Sequence, residues 1–158
     1  SRNGNLLLNF PLPNNGALDP DEMKVLESIT SWMAVNSEGI YATRPWKIAA
    51  DGPSTAASHE KDAKFNERNR KDLTAQDIRF TTKGDKTLYA FLMGAPEREV
   101  TVKPLGTSSL QSPPKITRVQ LLGHKENLQF KQEADGLKVT MPSGKPSEHA
   151  VALKVTLA

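Results

Sequence analysis

"DIRFTTKGDKTLYAFLM", residues 77–93, sets two runs of aromatic, β-branched and aliphatic residues on either side of a polar turn. "DIRFTT" (77–82) and "TLYAFLM" (87–93) have strand length, and "KGDK" (83–86) puts a glycine where a hairpin must reverse. The stretch therefore predicts a pair of antiparallel strands. The same texture continues downstream in "EVTVK" (99–103), "ITRVQLL" (116–122), "LQFKQ" (128–132), "LKVTM" (137–141) and "AVALKVTL" (150–157). Leu137, Val139 and Met141 alternate with Lys138 and Thr140, the period of a strand with one buried face. "EADG" (133–136) and "PSGKP" (142–146) supply turns. Seven short strands at this spacing predict an antiparallel β-sandwich over residues 77–158 and a mostly-β fold class.

The texture upstream is different. "NLLLNF" (5–10) is a continuous apolar run between Gly4 and Pro11, the pattern of a strand buried on both faces in a parallel sheet. A Pro- and Asn-rich loop follows, and then a helix with explicit start signals. Asp19 suits the N-cap, Pro20 the first helical position, and Glu22 the reciprocal leg of a capping box. Val25, Leu26, Ile29, Trp32 and Met33 follow at spacings of three and four, which predicts one apolar helix face, with Gly39 as terminator. One strand and one helix make a single βα unit, and a parallel strand needs neighbours that no second repeat in this chain supplies. The expected domain organisation is thus 1–46 as a terminal strand and helix of a larger α/β unit, 47–76 as a polar linker, and 77–158 as the sandwich. Trp46 is expected to plug the seam between the two parts.

Composition narrows the chemistry. Among 158 residues, 37% are hydrophobic and 25% charged, which is globular, and the net charge is only +3. The densest basic run, "KDAKFNERNRKD" (61–72), is interrupted by Asp62, Glu67 and Asp72, so it reads as a solvated linker and not a nucleic-acid interface. The absence of cysteine excludes disulfides, thiolate metal sites and a cysteine nucleophile. No run is long and apolar enough for a membrane helix.

The candidate functional residues are few. His59, His124 and His149 are scattered without metal-ligand spacing, so no metal is expected. Asp19 and Glu22 are adequately explained as helix-start residues, which leaves no catalytic pair. Neither a GxSxG elbow nor a glycine-rich phosphate loop occurs, and no cofactor is expected. Phe80, Tyr89, Phe91 and Phe130 fall inside strands and read as core. If the strand at 5–9 closes a (β/α)8 barrel, Asn9 stands at its C-terminal end, where such barrels keep their active sites. Asn9 is then a candidate substrate-binding residue; the other reading of it is an asparagine fixing the turn before Pro11.

"RNGNLLLNFPLPNNGALDPDE", "WMAVNSEGIYATRPWKI" and "DIRFTTKGDKTLYAFLMGAPEREVTVKPLG" together resemble the C-terminal third of a glycoside hydrolase family 29 α-L-fucosidase. The motifs stand in the family's order over residues 2–106, and 107–158 follows by strand pattern. The departure is "KIAADGPS" (47–54), where the family has an aromatic and a Gly-Glu-Gly-Pro-like turn, and it affects the path of the linker. The resemblance implies an antiparallel β-sandwich preceded by the last βα unit of a (β/α)8 catalytic barrel. It also implies a retaining glycosidase that releases terminal α-L-fucose from glycoconjugates through a covalent glycosyl-enzyme. The family's nucleophile and acid/base motifs match no position here, so this chain alone is expected to be inactive and to carry no catalytic residue. The implied partners are the missing N-terminal barrel portion of the same enzyme and a fucosylated glycan, without nucleic acid or membrane. A periplasmic or secreted bacterial enzyme is the favoured setting. The alternative is a non-catalytic carbohydrate-binding or structural β-sandwich module, for which the two Trp and two Tyr offer no row of stacking rings.

Overall fold

A computed structural model describes residues 1–13, 15–56, 72–144 and 147–158. The first helix, α1 (Pro20–Asn36), begins as its start signals require. The Asp19 carboxylate accepts hydrogen bonds from the Asp21 and Glu22 amides, each at 2.9 Å, and Pro20 opens the first turn. The reciprocal leg of the capping box is not made: Glu22 Oε2 is buried without a partner. After α1 one 3-10 turn, Ser37–Gly39, carries the chain off the helix axis.

The next element runs across the expected boundary at 46–47. Residues 44–51, of which 47–51 were read as linker, form strand β1 (Arg44–Asp51), paired antiparallel with the strand that follows it. Trp46 is therefore not a plug between two parts. It lies on β1 with its ring 5.3 Å from that of Phe80, packed with Ile48 against the sandwich core. A short helix, α2 (Pro53–Ala56), ends this segment. The basic run at 61–71 and His59 fall outside the described residues.

The seven expected strands are all present, the first shifted by one residue and the others trimmed at their ends: β2 (Ile78–Lys83), β3 (Thr87–Leu92), β4 (Glu99–Val102), β5 (Ile116–Leu121), β6 (Phe130–Gln132), β7 (Leu137–Thr140) and β8 (Val151–Leu157). They form a five-stranded sheet in the order β1-β2-β3-β8-β5 and a three-stranded sheet in the order β4-β7-β6, antiparallel throughout. In the β2–β3 hairpin Lys83 pairs with Thr87, and Gly84 takes the left-handed φ of +60° that the reversal demands. Between the sheets Phe80, Leu88, Ala90, Val102, Leu137, Val139, Leu153 and Val155 are fully buried, forming one continuous core with Ile78 and Leu92.

A third layer lies on the other side of the larger sheet. Tyr89, Phe91 and Ala152 point away from the main core yet are buried, with Trp32 of α1 packed over them. This explains why β3 has no exposed position: one face meets the second sheet and the other meets the helix.

The strand expected at 5–9 is not there. Residues 4–13 have no regular secondary structure and no ladder partner among the described residues, so the βα unit of a barrel is not formed in this chain. The physical reason is the one the pattern itself contains, since a strand's amides and carbonyls need a neighbouring strand. Among the described residues no helix is long and apolar enough to cross a membrane.

Candidate functional site

The side chains that attach α1 to the sandwich come from one stretch of sequence meeting three strands. Trp32 Nε1 donates to the Ala150 carbonyl at 2.6 Å, and its ring lies 6.1 Å from that of Phe91. Ser28 Oγ and His149 Nε2 share a hydrogen bond of 2.9 Å, and Lys154 Nζ meets Glu38 Oε1 at 2.8 Å. Thr81, buried on the outer face of β2, donates to the Gly39 carbonyl at 2.7 Å. Gly39 is thus a contact residue as well as a helix stop: a Cβ there would stand 2.7 Å from Phe91 Cζ. Burial, and then the neighbouring Glu38 carboxylate, push the Tyr89 phenol up to about 12.

A second anchor ties α2 to the start of β2. Asp77, 2% exposed, accepts from the Ser54 amide at 2.8 Å, the Thr74 amide at 3.0 Å and the Thr74 hydroxyl at 3.2 Å. Burial acts to raise its carboxyl, but the hydrogen bonds from Ser54 and Thr74 prevail and hold it at about 2. The Arg79 guanidinium completes the cluster by donating to Ser54 Oγ at 2.8 Å. Every polar group here has a structural partner, so the cluster fixes a loop.

Apolar side chains of the arm and of α1 are left open. Leu6 and Leu7 are 85% and 94% exposed, and Leu8, Leu12, Met23, Val25 and Ile29 are exposed with them. The face predicted from Val25, Leu26, Ile29, Trp32 and Met33 is therefore divided: Trp32 is docked, Leu26 and Met33 are half-buried, and Val25 and Ile29 face solvent. Beyond α1, Ala42 holds a left-handed φ of +56° in the turn that displays Ile40 and Tyr41. That conformation costs a non-glycine residue about 1 kcal/mol, so the surrounding structure must impose it. Large apolar side chains exposed in this number are the material of an interaction surface.

Asn9 lies on the exposed arm beside these leucines, and no hydrogen bond holds its side chain among the described residues. His124 lies in the turn after β5. Among the described residues no group of three or more His, Asp or Glu is placed to hold a metal. What sequence reasoning missed is the Ser28–His149 contact, because 121 positions separate the two and neither belongs to a motif.

Comparisons with known proteins give this surface its context. The family described as "Alpha-L-fucosidase C-terminal domain" matches residues 70–158. The chain is 29% identical to rat tissue alpha-L-fucosidase and 26% identical to the human enzyme, each over 163 aligned positions that cover 99% of this chain and 29% of the relative. It thus spans about three-tenths of the length of those curated relatives. Among solved structures, Thermotoga maritima alpha-fucosidase superposes with a TM-score of 0.66 at 21% identity, over 96% of this chain and 30% of that one. Alpha-L-fucosidase isoenzyme 1 from Paenibacillus thiaminolyticus superposes with a TM-score of 0.69 at 19% identity, over the whole of this chain and 32% of that one. At these identities the structural likeness speaks for the fold. The match over residues 70–158, more than half of the sequence, places this chain in the family of alpha-L-fucosidase C-terminal domains.

Proposed function

We propose that this chain serves as the C-terminal part of an α-L-fucosidase, a retaining glycoside hydrolase that releases terminal α-L-fucose from glycoconjugates. The catalytic carboxylates stand in a barrel portion of the same enzyme, and this chain completes and braces that barrel. The observation that carries the reading is the alignment of 99% of this chain with tissue alpha-L-fucosidases more than three times its length.

The open apolar face supports the same division of labour. Leu6, Leu7 and Leu8, with Val25 and Ile29 of α1, are the side chains that a strand and helix of a barrel would bury against their neighbours. Residues before Arg44 then belong with the barrel, and the sandwich begins at β1. In this arrangement Asn9 lies at the mouth of the barrel and hydrogen-bonds the substrate. Bracing is favoured over glycan capture by the strands themselves, because Phe80, Tyr89 and Phe91 are buried and give no aromatic platform.

The purified 158-residue chain should release no nitrophenol from nitrophenyl α-L-fucoside, and adding the N-terminal portion of the parent enzyme should restore turnover. Hydrolysis by the chain alone would overturn this assignment. In the complete enzyme Asn9→Ala should raise KM or lower kcat with the fold intact, and an unchanged kcat/KM would remove Asn9 from the substrate site.

A further inference from the structure

The arm before α1 contains two asparagine–glycine pairs, Asn3–Gly4 and Asn15–Gly16, which are alike in sequence and different in structure. All four residues are exposed, and a Cβ built at either glycine would meet nothing within 4 Å, so neither crowding nor access to water separates the pairs. Hydrogen bonding does. The Gly16 amide donates to the Pro13 carbonyl at 2.8 Å, and Asn15 Oδ1 accepts from the Ala17 amide at 3.1 Å, so a turn engages both members of the pair. Among the described residues no hydrogen bond holds the Gly4 amide or the Asn3 side chain. Asn3 itself has a left-handed φ of +57°, a conformation that asparagine visits more readily than most residues with a side chain.

We propose that Asn3–Gly4 is a site of spontaneous deamidation in the unassembled chain, and that the isoaspartyl product no longer completes the barrel. The Gly4 amide nitrogen gives its proton to hydroxide and attacks Asn3 Cγ. The new N–C bond closes a succinimide as the Cγ–Nδ2 bond breaks, and ammonia leaves with a proton returned by water. A second water then opens the ring at either carbonyl, giving aspartate or isoaspartate at position 3. The attack requires a free amide and a carboxamide free to rotate, and Asn3–Gly4 has both. At Asn15–Gly16 each group must first give up a hydrogen bond. Glycine in the second place leaves the backbone room to swing into the attack. Isoaspartate routes the main chain through the former side chain and so adds a methylene just ahead of the leucine run, where a parallel ladder needs evenly spaced amides. That loss of competence rests on the fucosidase reading; the chemistry at Asn3 does not.

Ageing the purified 158-residue chain in mildly alkaline buffer, followed by peptide mass spectrometry and isoaspartyl methyltransferase labelling, tests the site without any turnover. Deamidation is expected several-fold faster at Asn3 than at Asn15. In urea, where the turn is lost, the two rates should converge as Asn15 accelerates. Gly4→Ala, at a glycine whose φ is not left-handed, should slow the Asn3 reaction roughly tenfold and leave Asn15 unaffected. Equal rates in the folded chain, or an Asn3 rate untouched by Gly4→Ala, would overturn the site. Mixed with the N-terminal portion of the parent enzyme, aged chain should restore several-fold less turnover than fresh chain. Repair by the methyltransferase and its methyl donor, which return isoaspartate to aspartate, should recover that difference. Equal rescue by aged and fresh chain, or no recovery on repair, would overturn isoaspartate as the cause of lost competence. Failure of fresh chain to restore any turnover would overturn the fucosidase reading and that consequence with it, and deamidation, read from peptide mass, would stand.

Discussion

Two apolar runs of similar length, "NLLLNF" at 5–10 and "LYAFLM" at 88–93, meet opposite fates in this molecule. The first reads as a strand buried on both faces, and the second has the same unbroken apolar texture. The second is one: β3 pairs with β2 on one side and β8 on the other, lies over the smaller sheet, and lies under Trp32. The first has no ladder neighbour among the described residues and leaves Leu6 and Leu7 in solvent. Burial on two faces is thus a property of a strand's neighbours, and the sequence of the strand only states the requirement. In β3 the requirement is met within the chain. At residues 5–10 it is met, in the proposed enzyme, by the barrel.

The sharpest way to break this contrast is to truncate one side chain in each run. Leu88→Ala in β3, where the side chain is fully buried, should cost about 3 kcal/mol in urea denaturation. A cost below about 1 kcal/mol would mean that the core is not packed as described. Asp77→Ala removes the acceptor of three hydrogen bonds and should cost about 2 kcal/mol at neutral pH. The Asp77 carboxyl is held at about 2 against an ordinary 3.8, so its stabilisation is complete above about pH 4 and is lost as pH falls through about 2. Acid unfolding curves of wild type and Asp77→Ala should therefore converge below pH 2, and parallel curves would refute the anchor.

Smaller effects sharpen the comparison at the helix layer. Trp32→Phe keeps a ring over Phe91 but removes the donor to the Ala150 carbonyl, and should cost about 1 kcal/mol. The Tyr89 phenol, raised to about 12, contributes stability that is full below about pH 10 and is lost as pH rises through about 12. Tyr89→Phe should abolish that part of the alkaline transition, and an unchanged profile would place the titration elsewhere. The smallest effect belongs to the other run: Leu7→Ala should change the stability of this chain by less than about 0.5 kcal/mol. In the complete enzyme the same substitution should cost several-fold more, and equal costs in the two settings would leave the leucines without the proposed barrel contact.

The sandwich was readable because its strands are short runs of β-forming residues bounded by turn residues, and some carry period-two burial, as Leu137–Thr140 does after its "EADG" turn. β1 was not, because Pro45 and Lys47 interrupt "RPWKIAAD" and its register with β2 shifts between Pro45 and Ala50, which blurs the alternation of Trp46 and Ile48. The start of α1 was legible in Asp19 and Pro20, whereas its docking was not. Docking depends on Phe91, Ala150 and His149, more than fifty positions away from Trp32, and local pattern carries no information about such pairs. Asn9 was reached only through the barrel that the leucine run implies, and no hydrogen bond among the described residues positions its side chain.

The sheet order β1-β2-β3-β8-β5 has a consequence for synthesis. β8, which follows the other strands in this sequence, occupies an interior place, flanked by β3 and β5. The β1–β2–β3 meander can assemble while translation proceeds, but β5 has no seat in its sheet until Val151–Leu157 emerges. A chain cut short before Val151 would consequently keep a three-stranded remnant of the larger sheet with an open hydrophobic edge, a substrate for chaperones and proteases and not a shortened working domain.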